Sequence, residues 1–167
     1  MGYLDVSYKE PRATPLMEKA FEELFRDHEE LSDFIMERGG CPVKLSELRN
    51  GSRNREDGAN QLPAVWLRRF VAAIEDEVRE LGESIPWKWW RHERVDLQNV
   101  RVELVDIFHF LLSAAAASGM SGEDFINIYY QKRRINYDRQ VIGFKEGDNK
   151  QVGADRFNIP GTPDSIC

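Results

Sequence analysis

Only two cysteines, Cys41 and Cys167, occur in the 167 residues, far apart and with no CxxC pair or histidine at ligand spacing. That argues against a disulfide framework and a zinc site, and both read as free thiols. Long hydrophobic runs are also missing, so no membrane span is expected. The first residues, MGYLDVSYKEPRATP, carry no apolar stretch behind a basic start. A secretory leader is therefore not expected, and the cytoplasm is the expected compartment. A basic excess is lacking too: 23 Lys and Arg stand against 29 Asp and Glu, a formal charge of -6. This argues against a nucleic-acid partner, because neutralising a phosphate backbone takes surplus cations. Any anionic ligand must be met locally, by clustered cations or by bound metal. Neither β alternation nor an internal repeat is present. What remains, 41% hydrophobic and 31% charged, suits one globular all-α domain, a bundle of about four main helices. Residues 1–13 read as an arm and 148–167 as an irregular tail.

Thr14-Pro15 is a helix start, Thr capping free amides and Pro suiting the first helical position. Met17, Phe21, Leu24, His28, Leu31 and Ile35 recur at steps of four and three, one apolar stripe of a helix that ends near Gly39-Gly40. Within it His28 reads as a packed or edge histidine. Residues 39–63 read as a loop with a short helical turn around residues 45–48. A second helix over residues 64–81 carries the stripe Leu67, Phe70, Ile74, Val78, Leu81. The aromatic cluster Pro86-Trp87-Lys88-Trp89-Trp90 follows, then a third helix over 96–118 and a fourth that starts at Ser121-Gly122-Glu123-Asp124 and runs to about residue 140.

The third helix carries the chemistry. At about 100° per residue, Val100, Leu104, Val105, Ile107, Phe108, Leu111 and Leu112 cover most of its circumference, predicting burial nearly all round. Glu103, Asp106, His109 and Ser113 share the remaining sector. Buried carboxylates are costly unless paired or bound to a cation. The second helix offers a matching pair, Glu77 and Glu80. Residues three apart lie side by side on a helix, so ExxE and ExxD each present two carboxylates to one point. Four facing carboxylates would repel unless divalent cations sat between them, and hard oxygen ligands suit Mg²⁺ or Mn²⁺ better than zinc. An ExxE on its own is ordinary for a solvated helix face; it is the second pair, in an apolar setting, that favours metal. A di-iron centre usually brings ExxH on two helices. Neither pair has that form, although His109 follows Asp106 by three.

On the fourth helix Phe125, Ile128 and Tyr129 share a face that Lys132, Asn136 and Arg139 continue. Such groups suit phosphate oxygens, and basic residues near a helix C-terminus serve the macrodipole equally well. The tryptophans read as core or interface packing, with base stacking by one of them the alternative.

The stretches EDEVRELGESIPWKWW and NVRVELVDIFHFLLS closely resemble the dimeric dUTPases, within the all-α nucleoside triphosphate pyrophosphatase superfamily that also includes the MazG-like enzymes. GMSGEDFINIYYQKRRINYDRQVIGF is similar to the compact dCTP/dUTP pyrophosphatases of the T-even phage type. Together these motifs lie within residues 70–147. The resemblance implies Glu77, Glu80, Glu103 and Asp106 as metal ligands, Glu80 as the catalytic base, and Lys132, Asn136 and Arg139 as phosphate contacts. It implies Mg²⁺ as cofactor, with Mn²⁺ able to substitute, and a homodimer or higher homo-oligomer. Trp87, Trp90 and Phe110 are candidate nucleotide contacts. The sequence departs from the family at Phe144, where GFK replaces GYK and the tyrosine hydroxyl is lost. The inserted helical segment of the larger dUTPases is also missing. Relatives read the pyrimidine with Gln or Asn on the N-terminal helix; residues 15–38 contain neither, and Asn60 and Gln61 are the substitutes. The expected reaction is Mg²⁺-dependent cleavage of dUTP or dCTP to monophosphate and pyrophosphate. A MazG-like enzyme for a purine or modified nucleotide, and a non-catalytic nucleotide-binding module, are the alternatives.

Overall fold

A computed structural model describes residues 12–53, 62–88, 90–91 and 94–142, with the side chains of 138–142 outside the description. Among these residues the fold is all-α: α1 (Pro15–Arg38), α2 (Leu45–Arg53), α3 (Leu62–Glu83), α4 (Leu97–Ala117) and α5 (Gly122–Ile142). The turn expected near residue 45 is a full helix, α2. Its first turn is favoured by two acceptors: Glu47 takes the Lys44 amide at 3.0 Å, and Asp33 of α1 takes the Ser46 amide at 3.0 Å and its hydroxyl. Those are N-terminal amides that helical bonding leaves unpaired.

The chain forms two compact units, residues 22–121 and residues 1–21 with 122–167. In the first, α3 and α4 pack along each other and α2 contacts both. The core joins Met36, Val43, Leu45, Leu48, Trp66 and Phe70 to the alanine run at the end of α4. Ala114 to Ala117 are all buried. Their small side chains let α2 come close enough for Ser52 Oγ to donate to the Ala117 carbonyl at 2.7 Å and Arg53 Nε to the Gly119 carbonyl at 2.8 Å. Gly119, at φ 92°, turns the chain out of α4, with its amide on the Ala116 carbonyl and that of Met120 on Ala115. A Cβ there would be strained by the backbone and would meet Ser52 Cβ at 3.3 Å. Gly40, at φ 69°, ends α1 by the same pattern, Cys41 bonding back to Met36.

The apolar stripe of α1 is only partly covered. The buried residues of this helix are Phe25 and Met36, while Leu31 and Ile35 are 48% and 58% exposed. Polar contacts instead hold α1 to α2. Arg49 Nη2 donates to Glu29 Oε1 at 3.0 Å, and Nε lies 2.9 Å from Oε2 as a charge contact. Both side chains are largely buried, and burial, more than any neighbour, pushes the Glu29 carboxyl above its ordinary value.

In the second unit Phe21 stacks on Phe125 with ring centroids 6.1 Å apart, and Asn127 Nδ2 donates to Glu18 at 3.1 Å.

Arg49→Ala leaves the Glu29 carboxylate buried without its cation and is expected to cost about 2–3 kcal/mol, read as a lower urea midpoint at unchanged slope. The folded state holds the Glu29 proton more tightly than the unfolded chain, and losing Arg49 accentuates this. The deficit therefore grows as pH rises from the acid range through the raised Glu29 titration; a pH-independent deficit refutes the assignment.

Candidate active site

The acidic seam lies between α3 and α4. Carboxylate oxygens of Glu77, Glu80 and Glu103 come within 4.8 Å of one another. Glu103 is buried at 8% exposure, Glu77 is half-buried and Glu80 half-exposed. Asp106, one turn beyond Glu103, is outside that tight group and lines a cavity together with Glu77. The sequence-predicted set is thus brought to one seam, with three members close and the fourth at its edge. Burial, then Glu80, Asp106 and Glu103, raise the Glu77 carboxyl above its ordinary value. Such a cluster is at odds with itself until a cation enters. The donors are all hard oxygens, with no thiolate or imidazole among the three, which fits a divalent cation of the magnesium kind.

Hydrogen bonds from neighbouring side chains hold Glu103 and the end of α3 in place. Asn99 Nδ2 donates to Glu103 Oε1 at 3.0 Å and to Ser84 Oγ at 2.6 Å, and Ser84 Oγ donates to the Glu80 carbonyl at 3.1 Å. This chain ties the end of α3 to the start of α4, where Asp96 Oδ1 accepts the Gln98 and Asn99 amides, both at 3.1 Å. No motif marks Asn99, yet it stands four residues before Glu103, the helical step at which side chains meet. Arg79 contacts Asp76, Glu80 and Glu83, so one cation already touches the outer edge of the seam.

Two cavities flank these carboxylates. One, about 730 Å³, is lined by Glu80, Glu83, Ser84, Pro86, Arg94, Asp96, Asn99 and Glu103. The other, about 410 Å³, has the apolar walls Leu31, Ile35, Met36, Phe70 and Phe110, with Glu77 and Asp106 alongside His28, Ser32, His109 and Ser113. Phe110 is thereby placed beside the seam. Trp87 and Trp90 are not core: they are 72% and 56% exposed, in edge-on contact with each other at 6.0 Å between ring centroids. They line neither cavity. Lys132 and Asn136 are exposed on α5. Asn60, Gln61, Phe144 and the side chain of Arg139 lie outside the described residues.

His28, expected as a packed or edge histidine, is half-buried and hydrogen-bonded. Its Nε2 is 2.9 Å from Ser113 Oγ and 3.3 Å from Ser32 Oγ, and its ring faces His109 at 5.7 Å. Burial and the neighbouring His109 pull its pKa down to about 4, so the ring is neutral near neutral pH. The contact to Ser113 spans 85 residues of sequence and has no local signature.

A family model described as dUTPase matches residues 20–119. The chain belongs to that family. The match covers α1 from Ala20 onward and all of α2, α3 and α4, the part that carries both acidic pairs; it takes in α1 and α2, which lie ahead of the motifs of the sequence resemblance. Among curated proteins the chain is similar to the dCTP pyrophosphatase of Enterobacteria phage T4, 34% identical over 47% of this chain and 61% of that protein. It is also similar to the dCTP pyrophosphatase of Enterobacteria phage LZ5, 33% identical over 47% and 60%. A DNA replication protein of phage T4 is 30% identical over 48% of this chain and 27% of its own length. The chain thus spans about three fifths of the length of the two pyrophosphatases it matches. No solved structure matches the chain.

Glu77→Gln tests the frustration of this seam. The folded state holds the Glu77 proton more tightly than the unfolded chain, so ionising it costs stability as pH rises through its raised titration. At pH 7 in chelator the variant is expected to melt at or above the wild-type temperature. In excess divalent cation the wild type gains stability by mass action and the variant loses most of that gain. A variant that melts lower in chelator and gains as much from cation as wild type would remove Glu77 from the site.

Proposed function

We propose that this chain is a metal-dependent pyrophosphatase that splits dCTP, dUTP or both into the monophosphate and pyrophosphate. The observation that carries this reading is the convergence of Glu77, Glu80 and Glu103 between two helices, with Asp106 at the edge and an apolar cavity beside them. The family match and the two phage pyrophosphatases support the substrate class.

Glu77, Glu80, Glu103 and Asp106 would hold Mg²⁺, which supplies a lowered water pKa and neutralises phosphate oxygens when bound. Glu80, the most exposed of the three clustered carboxylates, is assigned to orient the attacking water and take its proton. Asn99 keeps Glu103 turned toward the seam through its 3.0 Å hydrogen bond. Lys132, Asn136 and Arg139 carry the phosphate-contact role by sequence resemblance, neutralising oxygens as charge redistributes toward the leaving pyrophosphate. The apolar cavity with Phe110 is the candidate seat for the base, since nucleobases favour aromatic and aliphatic walls with few polar groups.

The functional form is proposed to be a homodimer. α4 was expected to be buried nearly all round, yet in the single chain Val102, Leu104 and Val105 are each about half exposed, at 50%, 51% and 52%. Phe34 and Ile35 on α1 and Val78 on α3 are similarly exposed, at 56%, 58% and 51%. A monomer seldom leaves this much apolar surface to water. Sedimentation should give twice the mass of the chain, and Leu104→Arg should return it to the monomer; a wild type that stays monomeric at roughly tens of micromolar ends this part of the proposal.

Pyrophosphate release from each common dNTP, with and without Mg²⁺, tests the reaction. Release confined to dCTP or dUTP is expected, and Glu80→Gln should lower kcat roughly 10²–10⁴-fold with little change in KM. Release from purine nucleotides instead would place the chain with the MazG-like enzymes, and an unchanged kcat would remove Glu80 from the mechanism.

A further inference from the structure

We propose that His28 reads the 4-position of the pyrimidine, accepting from the amine of cytosine or donating to the carbonyl of uracil, with the hydroxyls of Ser113 and Ser32 accommodating either tautomer. This rests on the pyrimidine triphosphate reading above and names the residue that would give it its base specificity.

The two bases differ there by an inversion: cytosine offers a donor amine where uracil offers an acceptor carbonyl. A side chain that serves both must reverse its own polarity. Few can: an amide by flipping, a hydroxyl by rotating, a neutral imidazole by moving its proton from one nitrogen to the other. α1 contains neither Asn nor Gln. It does place His28 in the 410 Å³ cavity whose apolar walls include Phe70 and Phe110. Desolvation by those walls holds the ring neutral, as a tautomeric reader requires.

The hydrogen bonds supply the switch. Nε2 is the nitrogen that meets both serines, leaving Nδ1 without a hydrogen-bond partner among the described residues. In one arrangement Ser113 donates to the His109 carbonyl at 3.2 Å and accepts the Nε2 proton at 2.9 Å. Nδ1 is then a bare lone pair, fit for the cytosine amine. In the other, the Ser113 or Ser32 hydroxyl turns and donates to Nε2; the single ring proton sits on Nδ1, fit for the uracil carbonyl. Each arrangement carries one ring proton and satisfies Nε2, and the two interconvert by exchange with solvent before the base arrives. Serine hydroxyls suit this role because each can act as donor or acceptor, whereas a carboxylate in the same place would lock one tautomer.

Two measurements test this on the full chain. Steady-state kinetics on wild type, His28→Leu and His28→Gln with dCTP and dUTP should show Leu lowering kcat/KM for both substrates, on the order of tenfold to a hundredfold and chiefly through KM. Gln, whose amide also reverses, should recover much of that loss for both. Independently, ¹⁵N spectra of His28 in the wild type should show the proton on Nε2 with α,β-imido-dCTP and on Nδ1 with α,β-imido-dUTP. Its signals are identified by their loss in His28→Gln. One tautomer with both analogues, or a Leu variant within about twofold of wild type on both substrates (a difference well under 1 kcal/mol), overturns the inference while the pyrophosphatase reading stands. A wild type that turns over neither dCTP nor dUTP overturns that reading, and the inference with it.

Discussion

Like charges forced together between α3 and α4 set the terms for the rest of the unit formed by residues 22–121. Three glutamate side chains approach within 4.8 Å, and Glu103 is nearly sealed from water. A pair of helices left to its own energetics would splay at that point, because unpaired carboxylates in a poorly solvated place repel and lose hydration. The helices stay together because they are fastened elsewhere. Beside the carboxylates, the Ser84–Asn99–Glu103 chain spans the gap and offers Glu103 a hydrogen bond that does not neutralise its charge. At the far end of α4 the alanine run, with Ser52 and Arg53 on its terminal carbonyls, draws α2 in. Strain at one end of a helix pair is thus borne by close packing at the other, an arrangement common where side chains are kept ready for a ligand.

The same division explains the chemistry on either side of the seam. The cavity that includes Arg94, Asp96 and Asn99 is polar and suits hydrated or charged groups. The one that includes His28 and Phe110 is largely apolar, with hydrogen-bonding groups and the Glu77 and Asp106 carboxylates set into its wall. A nucleotide has the same two characters, a charged tail and a mostly flat, neutral base, and the seam stands between surfaces suited to each. A low-dielectric wall strengthens any hydrogen bond made there and penalises any left unmade, so a few polar atoms suffice for discrimination.

Much of this was legible in the chain before folding. Helix limits followed from local chemistry: Thr14-Pro15 opens α1, Gly39-Gly40 closes it, and Asp96 caps α4, all through contacts within a few residues. The acidic pairs were legible for the same reason, since ExxE and ExxD are placed side by side by helical geometry alone. Where side-chain burial was read from periodicity, the outcome differed. The α1 stripe through Leu31 and Ile35 is exposed in the single chain, and α4 buries Glu103 and Ser113 while Leu104 and Val105 stay half open. Periodicity says which residues share a face; it does not say which neighbour, if any, covers it.

What the sequence determined by itself is therefore the all-α fold, the helix ends, the two carboxylate pairs and, through their motifs, the family, because each rests on residues within a turn or two of one another. Tertiary structure alone decided that Glu77, Glu80 and Glu103 converge while Asp106 stands at the edge, and that Asn99 and Ser84 brace the seam. It also decided that His28 meets Ser113 across 85 residues. Those distances depend on how α1, α3 and α4 pack, and packing is set by the sum of many weak contacts among residues remote in sequence, which no local pattern records.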